Sequence, residues 1–300
     1  MIYTMTINPS IDYVMEMDKL VVGEMNRSKN TYSFPGGKGI NVSLVLNNLG
    51  VENVAILPVA GKSGEWLLSM LSERKVIYDA LGLANGNTRI NVKVLGEKET
   101  ELNADGPVIS EEERIILFEK IEKLTDGDYL VLSGSVQRNL GVHFYEDIMQ
   151  CIKDKNVKVV LDTVGENFLN ALHLHPFLVK PNKEELESYF DVSAKDEADV
   201  IYLAKKLQHM GAINVLVSMG SEGAVLIKED GSFIKREAPK GEVINSVGAG
   251  DSMVAGFLKG FIETGDMESA LKWGILAGSA SAFSKNLATK EEIDALIENL

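Results

Sequence analysis

The run Asn245-Ser-Val-Gly-Ala-Gly-Asp251 leads a glycine-rich turn straight into an amphipathic segment beginning near Ala249, and it carries a carboxylate inside the turn. Small residues let the backbone come close to a ligand. The free N–H groups of a first helical turn, with the positive end of the helix dipole, suit an anion such as a transferring phosphoryl group. In that setting Gly248, Ala249 and Gly250 form an anion hole. Asp251 has two readings: a first-turn acid that favours the helix dipole, or a base that takes the proton of an incoming hydroxyl.

Four further runs bear on the choice. In PGGKGINVSLVLNNLG (35–50) glycines again open a helix and hold Lys38, which reads either as a solvated side chain or as a cation for an anionic group in a backbone cradle. TINPSIDY (6–13) puts Asp12 in a turn expected at the carboxyl end of the first strand, where open α/β sheets bind ligands. In VKPNKEELESYF (179–190), Asn182 and Glu185 read either as a helix N-cap with its acidic first turn, or as oxygens that organise magnesium and its water around phosphates. VLVSMGSEGAVLI (215–227) is a strand, a glycine-rich turn and a strand against which a nucleotide can lie. Other signatures fail. The glycine that a P-loop needs ahead of Gly61-Lys-Ser63 falls on Ile56, the G-x-G-x-x-G and G-x-S-x-G patterns are absent, and the four histidines lack metal-ligand spacing.

The elements that must position these residues follow from periodicity. Continuous apolar, β-branched runs at Val54–Val59, Tyr129–Leu132, Val157–Leu161, Phe177–Val179 and Val215–Val217 alternate with helical segments. The helices are expected at Ile40–Leu49, Glu65–Arg74, Glu111–Leu124, Val142–Ile152, Ala198–Met210, Ala249–Glu263 and Glu268–Ser284. This is the pattern of a doubly wound α/β fold with a mostly parallel sheet flanked by helices. Residues 11–34 and 88–103 break it with half-exposed alternation, and we expect both stretches to form antiparallel strands that pair into a small β-sheet lid over the site. Without a linker or repeat the 300 residues read as a single domain with the lid strands inserted in it.

Composition narrows the partners. A net charge of −14 argues against nucleic acid and anionic membrane as partners, so an anionic ligand needs a local basic pocket. Cys151 is the only cysteine, which rules out an internal disulfide and fits a reducing compartment. The N-terminus lacks signal-peptide character and no apolar run spans a membrane, so the expected location is cytoplasmic.

From TINPSID through GGKGINV to NSVGAGD, over nearly the whole chain, the sequence resembles the ribokinase-like PfkB carbohydrate kinases. TINPSID, INVKV (90–94), ETELN (99–103) and NSVGAGDS are most similar to the branch acting on fructose 1-phosphate, with the tagatose 6-phosphate branch next. The resemblance implies ATP as donor, Mg²⁺ as metal cofactor, a small phosphorylated sugar as acceptor, and Asp251 as base. It implies Asn182 and Glu185 as the magnesium and phosphate element, acting on the metal through water. Lys183 and the turn Ser218, Met219, Gly220, Ser221, Glu222 and Gly223, together with Gly250, would then meet ATP. Asp12, Gly37, Lys38, Gly39 and Asn41 would bind the sugar, with Arg27 and Arg89 on its phosphate. The run Val-Gln-Arg-Asn-Leu after Ser133-Gly-Ser135, and Pro35 before the glycines, depart from the family pattern. Exposed strand edges in the lid also make a homodimer through it an expectation.

Overall fold

The computed structural model describes residues 1–297. The chain opens with β1 (Ile2–Thr6), β2 (Ser10–Glu16) and β3 (Asn30–Gly36), then α1 (Lys38–Asn48), β4 (Asn53–Val59), α2 (Gly61–Glu73), β5 (Tyr78–Gly82), β6 (Arg89–Leu95) and β7 (Thr100–Leu102). The middle comprises α3 (Glu111–Ile121), β8 (Tyr129–Ser133), α4 (Phe144–Cys151), β9 (Lys158–Asp162), α5 (Glu166–Ala171), β10 (Leu178–Val179), α6 (Lys183–Phe190), α7 (Glu197–His209) and β11 (Asn214–Ser218). It closes with β12 (Ala224–Ile227), β13 (Phe233–Arg236), α8 (Ala249–Thr264), α9 (Met267–Ala282) and α10 (Lys290–Asp294).

Nine strands form the main sheet in the order β13-β12-β11-β10-β9-β8-β1-β4-β5, parallel except for the β11-β12-β13 edge. Its central strands are mostly apolar and buried because helices cover both faces, whereas the edge strands β5 and β13 are partly exposed. Leu130 and Leu132 of β8 pack with Leu117, Phe144 and Ile148 on one side. Val131 between them packs on the other side with Val45, Phe257 and Ile275. The two longest helices, α8 and α9, meet along glycines: a Cβ on Gly256 would stand 2.2 Å from the Trp273 carbonyl oxygen, and one on Gly278 would stand 3.1 Å from that of Ala249.

The small sheet runs β3-β2-β6-β7. Both stretches that broke the helical pattern are in it, but β2 and β6 pair parallel rather than antiparallel, while β2-β3 and β6-β7 are antiparallel. The reason is connectivity: β2 follows β1 and β6 follows β5, two parallel strands of the main sheet, so both leave the same edge in the same direction.

Register brings the carboxyl ends of the central strands into one row. Thr6 stands opposite Ser133, and Ser133 opposite Asp162. Val179 stands opposite Leu161, so Lys180 follows at the same edge, and Asn182 bridges to Ser218. Asp162 and Lys180 are 1% and 5% exposed, so the apolar strands end in buried charge.

Candidate active site

Asp251 lies in the first turn of α8 and is 5% exposed. Gly248 caps that helix at φ 80°, a left-handed conformation that glycine adopts without strain, and the turn lies against the side chains of Leu287 and Asn41. The Asn41 amide donates to Asp251 Oδ2 over 2.8 Å. Burial pushes the Asp251 carboxyl up to about 7; the neighbouring Asp162 pushes the same way, against Lys38, Asn41 and Lys180.

Lys38 opens α1 behind Gly37, whose φ of 119° no other residue would hold easily, and Gly39 lies flush on the Met5 carbonyl. Its ammonium donates to Asp162 Oδ1 at 3.1 Å, and Lys180 reaches the same oxygen at 3.5 Å. Burial works to lower the Lys38 pKa, but Asp162 and then Asp251 outweigh it and hold the ammonium above its usual value. Burial likewise works to raise the Asp162 carboxyl, and Lys180 and Lys38 reverse it, so this carboxylate stays ionised below its usual range. Its other oxygen, Oδ2, is buried with no hydrogen-bond partner among the described residues.

Asp12 is not at the end of the first strand. β1 stops at Thr6, and after the three-residue break Ile7, Asn8 and Pro9 the chain begins β2 of the small sheet, within which Asp12 sits. Within β2 its Oδ1 accepts from Ser10 at 2.9 Å and Asn91 at 3.1 Å, and its Oδ2 pairs with Lys93 at 3.4 Å. The carboxylate fits because Gly36 on β3 lacks a side chain: a Cβ there would stand 2.6 Å from Asp12 Oδ1. Arg89 begins β6 and donates to the carbonyls of Asn8 at 3.0 Å and Ala104 at 3.4 Å, while its Nε is buried with no hydrogen-bond partner among the described residues. Arg27 is in no strand; it is exposed in the segment between β2 and β3.

Asn182 caps α6 in a closed capping box: its Oδ1 accepts from the Glu185 N–H at 2.7 Å, and Glu185 Oε2 accepts from the Asn182 N–H at 2.9 Å. Among the described residues no group of three or more His, Cys, Asp or Glu side chains is placed to hold an ion. That donor set fits a magnesium ion carried on nucleotide phosphates and reached through its water, since magnesium keeps most of its water shell and takes few protein oxygens. Lys183 begins α6 beside this cap. Ser218 ends β11, a tight turn spans Gly220, Ser221 and Glu222, and Met219 closes it by donating to the Gly223 carbonyl at 2.9 Å.

The α8 turn, Asn41, Lys38, Asp162 and Lys180 are thus linked through direct contacts and shared charge. No glycine-rich motif marks Asp162 or Lys180; their signal in the sequence is a charged residue ending a continuous apolar strand. Gln137, in the divergent loop after Ser135, is also buried and donates to the Ile7 carbonyl at 2.7 Å.

A model of the pfkB family carbohydrate kinases matches residues 5–294. The chain is 41% identical to a 1-phosphofructokinase of Bacillus subtilis over 99% of this chain and 97% of that one. It is 34% identical to a D-tagatose-1-phosphate kinase of Bacillus licheniformis over 98% and 96% of the two chains. The crystal structure of a Staphylococcus aureus protein described as a putative phosphofructokinase superposes with a TM-score of 0.89 at 37% identity, covering 100% of this chain and 97% of that chain.

Proposed function

We propose a specific reaction for this chain, which belongs to the pfkB family of carbohydrate kinases: transfer of the γ-phosphoryl group of ATP to the 6-hydroxyl of D-fructose 1-phosphate. The enzyme class, a phosphotransferase acting on a sugar phosphate, follows from that membership. The observation that carries the rest is a buried carboxylate with a pKa near neutrality in the first turn of a helix N-terminus. There it can accept a proton at the point where developing phosphoryl charge is best stabilised.

In this reading Asp251 takes the proton of the 6-hydroxyl as that oxygen attacks in line, and the N–H groups of Gly248, Ala249 and Gly250 receive the charge on the transferred group. Asn41 orients the base. Lys38 adds positive charge beside it. Asp12, Gly37 and Gly39 line the sugar side, and Arg89 and Arg27 take the sugar's phosphate. Lys183 and the 218–223 turn lie on the ATP side. Magnesium, bound with ATP through the Asn182 and Glu185 cap, would neutralise phosphate charge. The small sheet acts as a lid that excludes water and limits futile ATP hydrolysis. Val22 and Met25, 92% and 82% exposed in the loop between β2 and β3, suit pairing of two lids. Sedimentation of V22D/M25D against the parent protein tests that pairing.

Tagatose phosphates are the second reading, supported by the 34% identical tagatose-1-phosphate kinase. The deciding experiment compares kcat/KM on fructose 1-phosphate, fructose 6-phosphate, tagatose 1-phosphate and tagatose 6-phosphate. A clear preference for any of the last three overturns the fructose 1-phosphate assignment.

A further inference from the structure

We propose, resting on the phosphoryl-transfer reading above, that Lys180 is a catalytic residue whose ammonium meets the transferring phosphoryl group at the α8 turn, with Asp162 as the positioning residue that holds it beforehand.

Three observations converge. Lys180 is 5% exposed, and a lysine that deep needs compensation, yet its ion pair is a long one, 3.5 Å to an Asp162 oxygen that Lys38 already holds at 3.1 Å. Two ammonium groups therefore share one carboxylate oxygen. The ammonium also lies on the backbone of the candidate anion hole: a Cβ at position 250 would stand 3.0 Å from Lys180 Nζ. Gly250 thus leaves room for the lysine to reach whatever the first turn of α8 binds.

The two cations arrive from different elements, Lys38 from the start of α1 and Lys180 from the end of β10, and Asp162 is the oxygen both can reach. A structural strut between β9 and β10 would need one lysine in good geometry. Two cations on one oxygen, beside a helix N-terminus, form a socket for a second anion. When the phosphoryl group is present, Lys180 turns from Asp162 toward its oxygens. It stays protonated throughout; the hydroxyl proton goes to Asp251, and Lys180 only donates hydrogen bonds.

The test separates transition-state contact from a strut. Lys180→Met should lower kcat about 10²- to 10³-fold, with KM for the sugar phosphate and affinity for ADP each within about threefold. Affinity for ADP with aluminium fluoride in magnesium buffer, a mimic of the transferring group, should fall about 100-fold or more. If kcat stays within about threefold of the parent while the melting temperature drops, Lys180 is a strut and the proposal is overturned. A loss of ADP affinity as large as the loss of kcat overturns it as well. Because Lys180→Met alone leaves Asp162 less compensated, the double variant D162N/K180M removes both buried charges together and is expected to fold with the same low kcat; parent-like turnover in it contradicts the proposal. A parent protein that phosphorylates no sugar phosphate would defeat the underlying kinase reading instead.

Discussion

Asn41 and Asp251, 210 positions apart, meet in a 2.8 Å hydrogen bond in which the Asn41 amide donates to the carboxylate. This contact ties α1 to the first turn of α8, and it stabilises the charged form of a carboxyl that burial otherwise drives toward the neutral one. Asn41→Leu removes the donor, so the Asp251 pKa should rise and the acidic limb of kcat/KM should move to higher pH. Turnover near pH 7 should fall about tenfold. A limb that stays in place would show that Asn41 does not tune Asp251.

Asp251→Asn should abolish most turnover while ADP affinity stays within about threefold. Stability gives an independent reading. The folded carboxyl holds its proton up to about 7, above its unfolded value, so the folded chain carries the extra proton between about pH 4 and 7. The stability this contributes is full below the unfolded pKa and is lost as pH rises through the folded one. Asparagine carries no such titration. The variant should therefore gain on the parent between about pH 4 and 7, by an amount on the order of a few kcal/mol, and hold that gain above. Melting curves across this range check it; a constant difference would rule out the raised pKa.

Asp162→Asn should move the acidic limb the other way. Asp162 raises the Asp251 pKa, and its loss also leaves Lys38 and Lys180 free to lower that pKa. The limb should fall below its parent position near pH 7, even if maximal turnover drops. A limb displaced upward would mean that desolvation, not the neighbouring charge, changes on substitution.

What the sequence made legible follows from what is local. Seven helices (α1–α4 and α7–α9) and the apolar central strands lay in plain periodicity, while the short α5 and α10 span too few turns to show one; the α8 turn, the α1 turn and the β11–β12 hairpin lay in glycine spacing. The Asn182 and Glu185 cap was one of two readings, and both side chains are engaged in it. What stayed hidden depends on register. Nothing in the two separate runs that end at Asp162 and Lys180 says that neighbouring strands place both charges on one edge. Asp12 was misplaced because Ile7, Asn8 and Pro9 form a short break between two strands, which reads as a terminal turn. The parallel β2-β6 pairing depends on where two distant strands leave the main sheet.

The glycines of α8 hold the site's helix against α9, and their substitution should show it. Gly256→Ala would bring a Cβ to 2.2 Å from the Trp273 backbone oxygen, so one helix must move. The expected cost is about 1–3 kcal/mol of stability, with loss of turnover as the Asp251 turn shifts. Gly82→Ala, where a Cβ meets nothing within 4 Å, is the control and should stay within about 0.5 kcal/mol of the parent. Equal effects at the two positions would break the argument.

Arg89 and Arg27 were read from sequence as equivalent partners for the sugar's phosphate, and the structure separates them. Arg89 is held by two backbone carbonyls at the start of β6, near Asp12, and burial lowers its pKa while Asp12 and Asp105 oppose the shift. Its planar fork is set before any ligand arrives, and lysine cannot copy it. Arg27 is exposed on the loop between β2 and β3, so it must be ordered on binding and its contact is worth less. Arg89→Lys should raise KM for the sugar phosphate about tenfold or more with kcat within about threefold, the signature of lost uniform binding. Arg27→Ala should raise KM by less than Arg89→Lys does. If Arg27→Ala has the larger effect, the phosphate is held mainly by the loop between β2 and β3, and Arg89 serves the fold of the small sheet instead.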